Sequence, residues 1–166
     1  MSESIKPVSY SVSEQTQLIM AQHSNRSGRL FGGQLMAWID ILAGVVAFRH
    51  SDGDCTTASV DYLSFEKPIS VKDLIVMHGK VTYVGNSSME IRVDTFIESP
   101  GLVHEHANRA YLTFVAIDDE GRPRRVPRLD PQTDEEKAEY AAGLERARLR
   151  RERRKKKDSA EMAYPY

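Results

Sequence analysis

The sequence predicts an α+β domain in which a curved antiparallel sheet wraps around one long central helix, with an extra helix at the C-terminal end. Two observations predict it. The stretch from Leu30 to His50 has helix length, contains no proline and carries apolar residues around nearly its whole circumference, as a helix buried on most sides requires. The stretches that follow it have strand character and are separated by turn formers. A sheet curled around the helix is the simplest arrangement consistent with both.

The elements are expected in the following order. Gly32 and Gly33 mark the entry of the central helix. An early strand is plausible between Pro7 and Ile19, where the alternation is imperfect. The main strands are predicted at Thr56 to Phe65, Leu74 to Val84, Ser88 to Glu98 and Ala107 to Ile117.

The third main strand has the clearest pattern. Apolar side chains from Met89 to Ile97 alternate with mainly charged ones from Glu90 to Glu98, which predicts one buried face and one chiefly wet face. Gly85 and Asn86 favour a hairpin before this strand, and residues 119–121 form the turn that ends the last strand.

A change of composition predicts a second, smaller unit. We expect one globular domain over residues 1–130 and a charged C-terminal helix with a basic tail over residues 131–166. Thr133 is a candidate N-cap and Glu136 stands at the capping-box position. This helix lacks a broad apolar face and is therefore predicted to be exposed. Its basic run extends from Arg146 to Lys157.

Bulk properties exclude several classes of protein. The chain has 166 residues and a formal net charge of -1, which fits one main domain and argues against a broadly basic nucleic-acid binder. The single Cys55 cannot form an intrachain disulfide, and the N-terminal sequence lacks the basic and apolar regions of a secretory signal. The longest mainly apolar stretch is too short for a bilayer. We therefore expect a cytoplasmic protein with no membrane span.

Asp40 is the first candidate for chemistry. A carboxylate in an apolar helix is costly unless it is paired or used, although an aspartate that faces solvent is the plain alternative. The helix entry before it would present backbone N–H groups and a positive dipole end, which suit a developing oxyanion. Gly32 and Gly33 would let a substrate approach that backbone closely, or they are ordinary punctuation of a helix start.

Other residue types give weaker signals. Asn25, in the loop before the helix, could hold a water or a carbonyl, but loop asparagines are usually turn formers. Cys55 has no placed base and reads as a small apolar residue. Neither GxSxG nor a P-loop motif is present. The histidines have no spacing that fixes a metal site, so no metal is predicted: His23, His50, His104 and His106.

The sequence NRSGRLFGGQLMAWID, from Asn25 to Asp40, resembles the start of the cytosolic acyl-CoA thioesterase family, whose members have a hot-dog fold. The segments TASVDYLSF, KPISVKD, GNSSMEI, YLTFVAID and GRPRRVP resemble that family in the same order. The resemblance extends from about Thr16 to Pro131, and the tail sequence TDEEK followed by ERAR is similar to the C-terminal helix of some members. It implies a hot-dog thioesterase domain over residues 1–130.

The resemblance also implies roles for particular residues. The aspartate matching Asp40 is the general base or nucleophile, and the asparagine matching Asn25 supports catalysis from the partner subunit. Gly32 and Gly33 match the helix start where backbone N–H groups polarise the thioester oxygen. Acyl-CoA is the substrate, coenzyme A is a product, and no further cofactor is implied. The residues matching the coenzyme-binding segments are Thr57, Ala58, Ser59, Asn86, Ser87, Ser88 and Arg148, and Arg124 and Arg125 are additional candidates.

The expected function is therefore hydrolysis of fatty acyl-CoA, commonly of medium to long chain in the family. Water attack assisted by Asp40 and direct attack through an anhydride both remain open. A noncatalytic acyl-CoA binder is the main alternative, while a dehydratase would need a histidine motif that the chain lacks. A nucleic-acid-binding arm is disfavoured because the basic run has no interleaved aromatic residues.

Oligomerisation is expected because a few strands curled around one helix leave sheet edges that a second subunit can extend. A homodimer is then the minimum active unit. The resemblance implies that three dimers form a hexamer, with no membrane or nucleic-acid partner.

Overall fold

The computed structural model describes residues 4–163, and for residues 157–163 only the helical backbone. Besides two short 3₁₀ turns, the elements of this part are β1 (Ile5–Pro7), β2 (Ser13–Leu18), α1 (Gly32–Ser51), β3 (Cys55–Phe65), β4 (Leu74–Val84), β5 (Ser88–Ser99), β6 (Val103–Ala116), β7 (Arg128–Asp130) and α2 (Asp134–Ala163). The side chain of Lys157, which ends the basic run, lies outside the described residues.

Five strands form one antiparallel sheet in the order β2-β4-β5-β6-β3. Helix α1 lies across its concave face and contacts all five strands. Leu35, Ile39 and Val46 on the helix are almost fully buried and belong to one core with Met77 and Ile91 of the sheet. The predicted architecture is therefore confirmed, and β3 lies at one edge of the sheet.

The periodic elements have nearly the predicted bounds. Helix α1 begins two residues later and ends one later than expected, and β4 has the predicted bounds. Strand β6 begins earlier, at Val103, and β2 is shorter than the plausible early strand. Strands β1 and β7 were not predicted. They are three residues each and pair in parallel, too short for a periodic signal.

The pairing of β1 with β7 secures the C-terminal end of α1. Lys6 of β1 is buried, and its Nζ donates hydrogen bonds to the carbonyl oxygen of His50 at 2.9 Å and to Asp52 Oδ2 at 2.7 Å. Asp52 has a φ of 56°, so the helix ends in the left-handed conformation. A cation at this end also complements the negative pole of the helix dipole.

The predicted capping box of α2 is confirmed. Thr133 Oγ1 accepts a hydrogen bond from Glu136 N at 3.1 Å, and Glu136 Oε2 accepts one from Thr133 N at 3.1 Å. Two backbone donors at the helix start are thus satisfied reciprocally.

The face of β5 predicted to be wet is instead covered by α2. Glu90 is 1% exposed and Asp94 is 6% exposed. Arg146 Nη2 lies 2.8 Å from Glu90 Oε1 and 2.7 Å from Glu139 Oε1, and Arg150 Nη1 lies 2.7 Å from Glu90 Oε2. The prediction of an exposed helix is therefore wrong for this part of α2, because its charges pair with charges of the sheet and exclude water.

Helix α1 is enclosed by its own chain only on the sheet side. Ile41 is 58% exposed, Val45 38% and Phe48 54%, at a spacing that forms one stripe along the helix. The expectation of a helix buried on most sides is thus not met within one chain. Within residues 4–163, neither helix has the length and apolar character needed to cross a membrane.

Candidate active site

Asp40 lies in the middle of α1 on the partly buried side of the helix, next to the exposed apolar stripe. Its Oδ1 accepts a hydrogen bond of 2.8 Å from Thr57 Oγ1 on β3. This bond leaves Oδ2 available and fixes the plane of the carboxyl group. A carboxylate held in this way can accept a proton or attack an electrophile.

Helix α1 begins at Gly32, directly after Phe31, whose ring lies against Gly33. A Cβ on Gly33 would lie 2.5 Å from Phe31 Cε1, and one on Gly32 would lie 3.3 Å from Phe65 Cζ. Both positions therefore require glycine or a displaced ring. Within the described chain the N–H groups of Gly32 and Gly33 make no backbone hydrogen bond, as expected for a first helical turn. These N–H groups can bind an oxygen that carries negative charge.

Asn25 both forms a turn and contributes to a cavity. Its Oδ1 accepts hydrogen bonds from the N–H groups of Ser27 and Arg29 at 2.9 and 3.3 Å, as in an Asx turn. Its Nδ2 donates no hydrogen bond within residues 4–156. Asn25 also lines a cavity of about 410 Å³ together with Gly32 and Phe65. The plain reading as a turn former is thus correct, yet the amide donor remains available to another molecule.

One chain does not bring Asn25 and Asp40 into contact. Gly32, which shares the cavity with Asn25, precedes Asp40 by about two turns of helix, or roughly 12 Å along the axis. Among the described residues no hydrogen bond joins the two side chains. A site that uses both needs a second copy of the chain.

The predicted coenzyme-binding residues are mostly brought together. A groove of about 1620 Å³ is lined by Ala58, Ser59, Asn86, Ser87 and Ser88. Thr57 does not line it, since its side chain points to Asp40 across the sheet edge.

Arg148 lies outside this groove in its own chain. It is half-exposed and its guanidinium pairs with Glu145 and Glu152 on the same helix. The cations of α2 that line the groove are instead Arg150, Arg151, Arg153 and Arg154. At 3.6 residues per turn, Arg148 projects from a side of the helix far from that of Arg150 and Arg154, although it is an i, i+3 neighbour of Arg151. The charge run alone could not indicate which arginines face the sheet.

The two additional candidates differ. Arg124 donates to the carbonyl oxygens of Ile117 and Ser51, at 3.0 and 2.8 Å, so it supports the fold. Arg125 lines the groove.

Sequence reasoning missed Asp61 as a member of the groove. Its Oδ1 accepts a hydrogen bond from Ser59 Oγ at 2.7 Å, and its Oδ2 accepts one from Thr113 Oγ1 at 2.6 Å. Arg150 Nη1 lies 3.2 Å from the same Oδ2. The exposed-looking sequence VDYLSF carries no signal for these contacts, because they depend on two bulges of β3 and on α2.

Cys55 and His50 are structural. Burial raises the pKa of the Cys55 thiol, whose Sγ lies 3.1 Å from Ser51 Oγ, so it is a poor nucleophile at neutral pH. His50 is fully buried, and its Nε2 lies 3.1 Å from the carbonyl oxygen of Pro127. Among the described residues no three His, Cys, Asp or Glu side chains form a group that could hold a metal ion.

Comparisons with known proteins relate this geometry to one family. A model described as the thioesterase superfamily matches residues 27–104. The uncharacterized acyl-CoA thioester hydrolase YkhA of Bacillus subtilis is 39% identical over 141 residues, which are 84% of this chain and 82% of that protein. The cytosolic acyl coenzyme A thioester hydrolase of Mus musculus is 35% identical over 141 residues, 82% of this chain but 36% of the mouse protein. The chain thus spans about a third of that mammalian relative.

Solved structures agree with the fold. The acyl-CoA hydrolase of Staphylococcus aureus, in complex with butyryl coenzyme A, coenzyme A and coenzyme A disulfide, has a TM-score of 0.89 at 37% identity over 94% of this chain and 96% of that one. An apo-hexameric acyl-CoA thioesterase has a TM-score of 0.86 at 34% identity over 90% and 97%. The predicted hot-dog fold is therefore confirmed.

Variants of the staphylococcal enzyme allow a closer comparison. Structures exist with an asparagine, an aspartate or a threonine replaced by alanine. In that enzyme the three positions are separated by 15 and then 17 residues. Asn25, Asp40 and Thr57 have the same two spacings here.

Proposed function

Because this chain belongs to the acyl-CoA thioester hydrolases of the thioesterase superfamily, we propose that it hydrolyses fatty acyl-CoA to a free fatty acid and coenzyme A with Asp40 as its reacting carboxylate. The observation that carries the proposal is the hydrogen bond from Thr57 to Asp40, which orients a carboxylate two turns into a helix whose first N–H groups are available. The matching spacings of Asn25, Asp40 and Thr57 in the staphylococcal enzyme support the same three positions.

The proposed reaction begins with the thioester oxygen at the N–H groups of the partner subunit's Gly32 and Gly33, because within one chain the start of the helix lies roughly 12 Å from Asp40. Their donors and the helix dipole stabilise negative charge on that oxygen as the carbonyl carbon becomes tetrahedral. Asp40 accepts a proton from a water molecule while the water oxygen bonds to the carbonyl carbon. The C–S bond then breaks, and the thiolate of coenzyme A leaves and takes up a proton.

The covalent alternative uses the same carboxylate. Asp40 attacks the carbonyl carbon, the thiolate leaves, and water hydrolyses the resulting anhydride. A single turnover in ¹⁸O-labelled water tests the covalent route, because label in the Asp40 carboxylate can arise only from the anhydride. When water attacks the anhydride at its aspartyl carbon, one label enters the Asp40 carboxylate, whereas direct water attack puts label only into the fatty acid.

The proposed site is composite, with Asn25 supplied by the partner subunit. Three features support it: Asn25 and Asp40 are separated within one chain, β3 is an eleven-residue edge strand, and α1 exposes an apolar stripe beside Asp40. A dimer would cover the stripe and extend the sheet. The hexameric relative supports assembly of three such dimers.

Coenzyme A is proposed to occupy the groove beside β3. Ala58, Ser59 and the turn residues Asn86, Ser87 and Ser88 offer small side chains and polar groups along its wall. The phosphates would lie toward Arg151, Arg153 and Arg154, which form no salt bridge with a carboxylate of the described residues. Arg148 does not line the groove of its own chain and pairs there with Glu145 and Glu152.

The acyl chain is proposed to enter the cavity that begins at Asn25 and Gly32. Apolar side chains dominate its far wall, including Leu30, Leu35 and Ile69. This lining supports a fatty acyl group of medium to long chain. A cytoplasmic location and the absence of a required cofactor remain predictions from the sequence.

The deciding experiment measures thiol release from a series of substrates, acetyl-CoA to palmitoyl-CoA, by the parent and by Asp40→Asn. We expect release by the parent and a loss of about a hundredfold or more in the variant, because Asn cannot accept the proton. Thr56→Val, an exposed neighbour of Thr57 on the same strand, is the control and should keep parental rates. Tight acyl-CoA binding without release from any substrate would favour a noncatalytic binder.

A further inference from the structure

Asp61 has partners that the proposed reaction does not explain. Strand β3 loses register with β6 between Val60 and Tyr62, which leaves Asp61 as the extra residue of a bulge. Bulges re-aim side chains, and here the carboxylate points to the groove wall with 15% of its side chain exposed. An acidic group is unexpected in a groove lined by arginines that would hold phosphates.

The Asp61 carboxylate accepts hydrogen bonds from two neighbouring hydroxyl groups. Ser59 Oγ donates to Asp61 Oδ1 at 2.7 Å, and Thr113 Oγ1 donates to Asp61 Oδ2 at 2.6 Å. A hydroxyl has one proton, and an ionised carboxylate has none to give in return. Both hydroxyl oxygens therefore present only lone pairs to a ligand in the groove.

Arg150 is engaged with carboxylates through one of its nitrogens. Its Nη1 lies 3.2 Å from Asp61 Oδ2 and 2.7 Å from Glu90 Oε2, so it joins β3 to the buried charge network beneath α2. A phosphate oxygen can only accept hydrogen bonds and carries negative charge. It would meet acceptors and a carboxylate at this point of the groove, whereas a ligand N–H group would meet two acceptors.

We propose that Asp61 is a positioning residue that makes this part of the groove a site for a hydrogen-bond donor of the ligand, an N–H or an O–H group. The inference rests on the proposed function. It distinguishes a part of the groove beside Asp61, which binds a donor group, from a part lined by arginines, which binds phosphates. In acyl-CoA the N–H donors are the two amides of the pantetheine arm and the amino group of adenine. The phosphates are directed away, toward Arg151, Arg153 and Arg154.

The test compares Asp61→Asn with the parent on two thioesters of the same acid, one of coenzyme A and one of pantetheine. The amide N–H group of Asn would donate a hydrogen bond to one of the two hydroxyl oxygens. The proton of that hydroxyl would then point toward the ligand and repel the ligand's own donor group. We expect KM to rise about tenfold, the effect of one lost hydrogen bond, with kcat within about twofold. A rise for both thioesters assigns the donor to the pantetheine arm, through an amide or its hydroxyl, and a rise for acyl-CoA alone assigns it to the adenosine part.

A double-mutant cycle provides the readout that a merely structural role would not give. Ser59→Ala should raise KM to a similar extent, and it should add little in the Asp61→Asn background because both changes remove the same contact. Ser64→Ala is the matched control. Ser64 Oγ also donates to a carboxylate two residues later, Glu66 Oε1 at 3.0 Å, but it lies outside the groove. Its KM should be parental.

Three results would overturn the inference: an unchanged KM for both thioesters in Asp61→Asn, additive effects of Asp61→Asn and Ser59→Ala, or an equal effect of Ser64→Ala. Thermal unfolding of each variant checks the fold, and Ser59→Ala, which deletes one hydroxyl, carries the test if Asp61→Asn does not fold. Calorimetric Kd values for coenzyme A give the same comparison without turnover. If the protein binds coenzyme A but hydrolyses no thioester, the proposed function is wrong, and the Kd values of the variants still decide whether this inference is correct.

Discussion

Thr57 Oγ1 on β3 donates a hydrogen bond of 2.8 Å to Asp40 Oδ1 on α1. The bond connects the edge strand of the sheet to the middle of the central helix. It sets which carboxyl oxygen remains available for chemistry, so the reacting group is oriented by a residue on a different element.

Replacing Thr57 by Val should lower kcat for thioester hydrolysis by about tenfold, because the carboxyl group of Asp40 loses one fixed partner but keeps its charge. Thr57→Ser should keep most of the activity, since the hydroxyl remains. The measurement is steady-state thiol release at saturating acyl-CoA. A Thr57→Val enzyme with parental kcat would remove Thr57 from the site.

Glu90→Gln should lower the free energy of unfolding by about 2–3 kcal/mol. Glu90 is buried between Arg146 and Arg150, and loss of its charge leaves two cations poorly compensated in a dry site, although Asp61 and Glu139 remain as partners. Urea unfolding of parent and variant measures the difference.

The control for that prediction is Glu145→Gln. Glu145 pairs with Arg148 on the exposed side of the same helix, where water already screens the charges, so little change is expected. Equal effects of the two substitutions would mean that the network beneath α2 does not stabilise the fold.

These contacts also explain why part of the structure could be predicted from the sequence and part could not. The bounds of α1 and β4 follow from uninterrupted, mainly apolar stretches and the turn formers that flank them, which indicate burial in a core. The packing of α2 on the sheet could not be predicted in this way, because Glu90 and Arg146 exclude water by pairing with each other. A charged pattern has the same appearance whether it faces solvent or an oppositely charged partner.

The candidate site was predicted to a similar extent. Asp40 stood out as a carboxylate in an apolar helix, and the glycines marked the helix start. The role of Asp61 could not be foreseen, since it arises from a bulge that changes which side chains share a face. Arg148 follows from the family resemblance alone, and in this structure its guanidinium pairs with Glu145 and Glu152 outside the groove of its own chain.

His50 should make the fold less stable as the pH falls. Burial, with the nearby Lys6 cation, lowers the pKa of His50 below its ordinary value of 6.5. Below about pH 6.5, His50 therefore binds a proton in the unfolded chain but stays neutral in the folded chain. The free energy of unfolding consequently decreases as the pH falls through that value. The contribution of one such group reaches at most about 1.4 kcal/mol per pH unit.

The measurement is the free energy of unfolding between pH 7.5 and pH 5 for the parent and for His50→Gln. Gln can still donate to the carbonyl oxygen of Pro127 but does not titrate. The variant should show a smaller loss of stability over this window, even if it is less stable at neutral pH. Parallel curves for the two proteins would contradict the assignment, because the other histidines are common to both.

Two inactive variants should restore activity to each other if the site is composite. In a mixed dimer of Asn25→Ala and Asp40→Asn, one site combines both defects and the other contains neither. Random pairing after co-expression makes half of the dimers mixed, each with one intact site of two, so about a quarter of the parental activity is expected. Within one chain, Gly32, which lines the same cavity as Asn25, lies roughly 12 Å along α1 from Asp40.

The matched control pairs Asp40→Asn with Thr57→Val. Thr57 bonds Asp40 of its own chain, so these two defects fall in the same half of a composite site and every site of a mixed dimer keeps one of them. Activity should then not exceed the average of the two homodimers. Restoration in this control, or its absence with Asn25→Ala, would mean that Asn25 does not act across the dimer. Activity in a monomer detected by light scattering would lead to the same conclusion.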